Sequence, residues 1–91
     1  MTDNPRIRVY STGTCSYCTA ARRLLEKKGL AFDDVAVDRD ADARRIMESK
    51  SGRRTVPQIF IDDHPIGGFN ELYELERTGE LDRLLGNGPS T

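Results

Sequence analysis

The chain has 91 residues, room for one small domain, and 36% of them are hydrophobic with no tryptophan, so a core is possible but thin. Fourteen basic against fifteen acidic side chains leave a net charge of −1, which gives no global field to hold nucleic acid or an anionic membrane. The opening "MTDNPRIRVY" lacks an apolar run and a small-residue cleavage site, and nothing approaches the ~20 apolar residues of a membrane span; a cytoplasmic protein is expected.

"RIRVYS" (6–11) alternates Ile7 and Val9 with arginines, the period of a half-buried strand. From Ser16 to Lys28 the pattern changes: Ala21, Leu24, Leu25 and Lys28 repeat at three and four, and Gly29 supplies a helix stop. "LAFDDVAVD" (30–38), with Phe32, Val35 and Val37, reads as a second strand. Asp38 or Asp40 can then cap a helix that turns Ala43, Ile46 and Met47 inward and ends at Gly52. "PQIFIDD" (57–63) is a compact apolar strand, and "DDHPIGG" a turn into a brief return strand. Leu72, Tyr73 and Leu75 mark a last helix closed by Gly79; Leu81, Leu84 and Leu85 add one more turn or a short helix. The tail "GNGPST" (86–91) is expected to be loose.

The order is β-α-β-α-β-β-α, without internal repeats. A first β-α-β unit calls for a parallel pair with a right-handed crossover. The later "IFIDDHPIGG" is short enough for a hairpin. The expectation is an α/β protein with a four-stranded mixed sheet flanked by helices. It forms one domain over 1–91 with its core at about 6–85.

Both cysteines of the chain lie in "CSYC", at Cys15 and Cys18. In a cytoplasmic protein a permanent structural disulfide is disfavoured, so the spacing points to metal or redox chemistry. A structural zinc site needs four ligands, whereas the chain offers two thiols and His64; His64 is read as an exposed turn residue without a role. Cys15 falls at the start of the first helix, where unpaired N–H groups and the helix dipole favour a thiolate. It is therefore the candidate nucleophile. Cys18, one turn deeper, is the candidate resolving thiol, since side chains three apart share one side of a helix turn.

Three motifs in order, "CSYC" (15–18), "TVPQIFI" (55–61) and "IGGFNEL" (66–72), resemble those of the glutaredoxins, most closely the short dithiol bacterial type. The resemblance runs over nearly the whole chain. It implies a thioredoxin-like fold and thiol–disulfide exchange with glutathione as reductant and no tightly bound cofactor. Its partners would be glutathionylated or disulfide-containing proteins, met as a monomer. It further implies that Pro57 is cis, with Thr55 beside it, and that Val56 offers its backbone to the cysteinyl part of glutathione as an added strand would. Gly68, in "GG", lets the ligand approach closely. Asn70 and Glu71, opening the last helix, receive the γ-glutamyl end, and Tyr17 shields the site.

Two departures from the family pattern stand out. Thr12 occupies the place of a basic residue three before the first cysteine, and Glu71 replaces a commoner aspartate. Arg44 is the first candidate to supply the missing charge, ahead of Arg53 and Arg54. Serine in place of the proline of Cys-Pro-Tyr-Cys also accompanies, in some members, a glutathione-ligated [2Fe–2S] cluster between two protomers. Cys15 of each subunit would then be a ligand, and the role would be cluster storage, transfer or redox sensing. Reduction by a thioredoxin reductase instead of glutathione is a further alternative.

Overall fold

The computed structural model describes residues 6–85; the expected loose tail lies outside them. Eight elements follow one another: β1 (Ile7–Ser11), α1 (Ser16–Lys27), β2 (Phe32–Ala36), α2 (Ala41–Ser51), β3 (Gln58–Ile61), β4 (His64–Gly67), α3 (Phe69–Thr78) and α4 (Glu80–Leu85). They form the expected mixed sheet, in the order β2-β1-β3-β4. β1 and β2 run parallel, with Ile7 opposite Phe32, while β1–β3 and β3–β4 are antiparallel.

Strand periodicity divides the core between the two faces of the sheet. Ile7 and Val9 of β1 and Ile59 and Ile61 of β3 point to one face. There they pack with Ala21 and Leu25 of α1, Leu72 of α3 and Leu81 and Leu85 of α4. The alternate residues, Tyr10 and Phe60, face the other way and meet Val37 with Ala43 and Met47 of α2. The Tyr10 and Phe60 rings sit edge to face at 5.4 Å. Full burial of each large apolar side chain contributes about 1.5–3 kcal/mol, so both faces matter to a chain this short.

The helix boundaries follow from local chemistry. Asp40, not Asp38, caps α2, its Oδ1 accepting the Ala43 N–H at 3.1 Å. Gly52 ends that helix with φ at 73°, a left-handed value that most residues resist. β2 is shorter than its apolar pattern, and Val37 is buried just past its end. One inward assignment is corrected: Ile46 is 46% exposed, while Met47 is fully buried. Only the 43/47 stripe, four residues apart, reaches the sheet. In the β3–β4 turn Asp62 and Asp63 both take positive φ, 51° and 69°, as a tight two-residue hairpin turn requires.

Arg6 ties distant parts together. Its guanidinium pairs with Asp62 at 2.6 Å and donates to the carbonyls of Leu85 (2.6 Å) and Leu84 (3.1 Å). Among the described residues, no helix is long and apolar enough to cross a membrane.

Candidate active site

Cys15 stands where β1 has ended and α1 begins. Its backbone is extended (φ −92°, ψ 119°), and its sulfur caps the helix by accepting the Cys18 N–H at 3.3 Å. On its other side the thiol faces the Val56 carbonyl at 3.7 Å. Cys18, three residues on, is completely buried, whereas Cys15 is half-buried.

These settings push the two thiols apart. Burial raises the pKa of Cys15. The opposing contributions outweigh it: the Cys18 thiol and the Cys18 and Tyr17 amides stabilise the anion, and so does the charge of Arg22. The net shift is downward. Cys18 is pushed up to about 11, by burial first and then by the neighbouring Cys15 sulfur. Since the thiolate is the reactive form, an alkylating agent at neutral pH should label Cys15 and spare Cys18. Its rate should rise through a midpoint below that of a free thiol. Mass spectrometry of the singly labelled protein checks this, and equal labelling would contradict the assignment.

A strap of extended chain leads into β3 beside Cys15. The Val56–Pro57 peptide is cis. The buried Gln58 amide steadies the strap by donating to the Thr55 carbonyl (3.0 Å) and hydroxyl (3.2 Å). Opposite lies the turn from β4 into α3. Gly67 has φ at 121°, and a Cβ there would come within 2.9 Å of the Glu71 side chain. A Cβ on Gly68 would sit 3.3 Å from the Pro57 carbonyl oxygen. The two walls therefore approach closely because side chains are absent. Glu71 reaches back to accept the Gly68 N–H at 2.8 Å and lies 3.7 Å from Arg53. The Gly68 amide foremost, and Arg53 to a lesser degree, hold its carboxyl below the usual carboxylate range.

Between these walls is a cavity of about 300 Å³. Tyr17, Thr55, Val56, Pro57, Gly68, Asn70 and Glu71 all line it. Arg44 does not. It donates to Glu48 (3.2 Å) and to the Arg54 carbonyl (2.8 Å), so the backbone beyond α2 claims its guanidinium. The cation in the cavity wall is Arg53, which the sequence ranked second. Gln58 and Phe69 also line it. The sequence signal for Gln58 was its place next to Pro57. That for Phe69 was its place four residues before Tyr73; in the fold its ring lies 6.0 Å from Tyr73 and 6.2 Å from Tyr17. Cys15 does not line the cavity itself but borders it through the Val56 carbonyl that it faces at 3.7 Å. A larger concavity on the outer face of α2, about 760 Å³, is lined by residues such as Asp42, Ile46 and Lys50.

The glutaredoxin family model matches residues 7–66. Over 79 residues the chain is 47% identical to glutaredoxin 3 of Escherichia coli strain K12, covering 87% of this chain and 95% of that protein. It is 42% identical over 81 residues to a glutaredoxin of Pseudomonas aeruginosa, with 89% and 96% covered. Its structure is similar to that of a buckwheat glutaredoxin–glutathione complex, with a TM-score of 0.82 and 28% identity over 90% of this chain and 77% of that one. The solution structure of a Brucella melitensis glutaredoxin gives a TM-score of 0.78 and 37% identity, covering 99% of this chain and 98% of that one. With a thioredoxin-like sheet, a Cys-x-x-Cys turn at a helix start and this likeness along most of its length, the chain belongs to the glutaredoxin family of thiol–disulfide oxidoreductases.

Proposed function

We propose that the chain reduces protein–glutathione mixed disulfides and protein disulfides, with glutathione as the reductant. The observation that carries this reading is the order of groups along the cavity. A reactive sulfur lies against the Val56 carbonyl, an extended main-chain strap follows, and a helix N-terminus closes the far end. A thiol tripeptide with a carboxylate at each end matches that order. Its backbone would pair with Val56. Its γ-glutamyl carboxylate would meet the amides at Asn70 and Glu71, and Arg53, 3.7 Å from Glu71, would add its charge at that end.

In the first step the Cys15 thiolate attacks the glutathione sulfur of the mixed disulfide. A Cys15–glutathione disulfide forms, and the protein leaves as thiolate and takes up a proton. A second glutathione thiolate then attacks the bound glutathione sulfur, releasing Cys15 thiolate and glutathione disulfide. With a protein disulfide, Cys15 first forms a mixed disulfide with the protein, and Cys18 displaces the protein thiol. The resulting Cys15–Cys18 disulfide is reduced by two glutathiones. The geometry helps this order: a Cys15 anion is one of the causes that raise Cys18, and that cause vanishes once Cys15 is in a disulfide. Ser16 is the feature that speaks for a cluster shared between two copies; the groups along the cavity speak for the exchange.

The test is turnover of a glutathionylated peptide coupled to glutathione reductase and NADPH. Turnover with thioredoxin reductase but not with glutathione would overturn the reading. Arg53→Ala should raise the apparent KM for glutathione by about three- to ten-fold, the range for a solvent-reached charged hydrogen bond. Arg44→Ala should leave it unchanged. The reverse ranking would return the carboxylate contact to α2.

A further inference from the structure

On the β2 side of the dithiol, away from the glutathione cavity, lies a polar cluster that the exchange steps leave unused. Arg22 follows Cys18 by four residues, on the same face of α1, with a side chain only 23% exposed. Its Nη1 donates to the Ser11 hydroxyl at 3.0 Å, and its Nη2 lies 3.4 Å from the Thr19 hydroxyl. The Thr19 hydroxyl in turn donates to the Cys15 carbonyl at 3.3 Å. Ser11 shares the inward face with Ile7 and Val9, is almost fully buried, and donates to Asp34 Oδ1 at 2.5 Å. The other oxygen of Asp34, Oδ2, lies 3.5 Å from Arg22 Nη1.

We propose that Arg22 is the positioned cation of the Cys15–Cys18 dithiol, fixed in place by Ser11 and Thr19, with Asp34 as its counterweight. This rests on the thiol exchange of the family and is independent of whether glutathione is the reductant. A buried hydroxyl at the end of β1 needs partners. The guanidinium supplies one while its rigid fork reaches Thr19 with a second nitrogen. The result is a positive charge with little freedom to move, one turn beyond Cys18 and about two beyond Cys15. That charge favours the anionic form of both thiols.

The other charged groups around the dithiol are placed to leave this role to Arg22. Asp38, which accepts the Gly13 N–H at 3.3 Å, and Arg39 border the same recess with opposite signs. Arg53 and Glu71, in the wall of the cavity on the other side, face each other at 3.7 Å. Residue 12 is an uncharged threonine. Arg22 is thus a positioning residue: it touches no reacting atom and acts on the sulfurs through its field.

The sign of the effect separates this role from a structural one. Removing the cation disfavours the thiolate and raises the Cys15 midpoint. Removing Asp34 leaves the cation less compensated and lowers it. The experiment is thiolate absorbance against pH in the Cys18→Ser protein, without glutathione, so failure of the glutathione reading leaves it intact. Arg22→Gln should reduce the ionised fraction below the midpoint by about two- to three-fold, Asp34→Asn should increase it, and Arg22→Lys, which keeps the charge but not the fork, should fall between Arg22→Gln and the parent. Opposite movement of the first two supports the proposal. Any other pattern, including movement of both in one direction, overturns it. Should Arg22→Gln fail to fold, Asp34→Asn decides alone: a lower midpoint supports the counterweight, and an unchanged or higher one removes it.

Discussion

Cys15→Ser is expected to abolish turnover of a glutathionylated peptide, with a loss of roughly three orders of magnitude or more, while Cys18→Ser keeps much of that activity. The reason is access and ionisation together. Cys15 is half-buried at the helix start, with amides directed at its sulfur, and its pKa is lowered. Cys18 is fully buried and raised to about 11. A serine hydroxyl at position 15 stays protonated at neutral pH and cannot replace the thiolate. At position 18 a serine keeps the helix turn and removes only the resolving step, which a glutathione mixed disulfide does not require. With a protein disulfide as substrate the second variant should lose activity too. Steady-state rates on the two substrate types check both halves. Equal activity of the two variants on the glutathionylated peptide would reverse the roles.

The second large effect is on stability, at two adjacent residues. Met47→Ala should cost about 2–5 kcal/mol, because it empties the only large side chain that α2 inserts beneath Phe60 and Tyr10. For a domain of this size that lowers Tm by roughly 10 °C or more. Ile46→Ala, one position earlier, should cost no more than about 1 kcal/mol, since Ile46 is nearly half exposed. Thermal denaturation followed by circular dichroism compares them directly. Similar losses would mean that α2 is rotated about its axis relative to the packing described.

That pair shows where the sequence was legible and where it stopped. Ile46 and Met47 follow Ala43 by three and four residues, and either fits an amphipathic pattern. The choice between them depends on the narrow stripe that α2 presents to a sheet it crosses, which is a tertiary property. The strands were easier, since Ile7 and Val9 or Ile59 and Ile61 sort by parity alone. The dithiol was readable from its own spacing, whereas the cis Pro57 and the Gly68–Glu71 turn were expected only through the resemblance to the glutaredoxins, since alone they fit an ordinary strand start and helix cap. The arginines were not. Gly52 turns the chain out of α2, so Arg53 begins the strap toward Pro57 while Arg44 stays back in the helix beside Glu48. Arg22 was missed for a similar reason. Its partners Ser11 and Asp34 meet only once β1 and β2 have paired in register, with Ser11 opposite Ala36.

The Arg6 clamp bears on how the molecule breathes. α4 spans only Glu80–Leu85, too short to persist as a helix by itself. Its last carbonyls would lack intrahelical partners, and two of them, Leu84 and Leu85, are met by the residue just ahead of the first strand. The same guanidinium holds Asp62 in the β3–β4 turn. Fraying of the last helix and opening of that turn therefore share the Arg6 side chain, although Leu81 and Leu85 in the core and the Lys28–Asp82 ion pair also hold α4. Either event weakens the other, and the start of β1, the hairpin tip and the end of α4 behave as one cooperative opening unit instead of three loose ends.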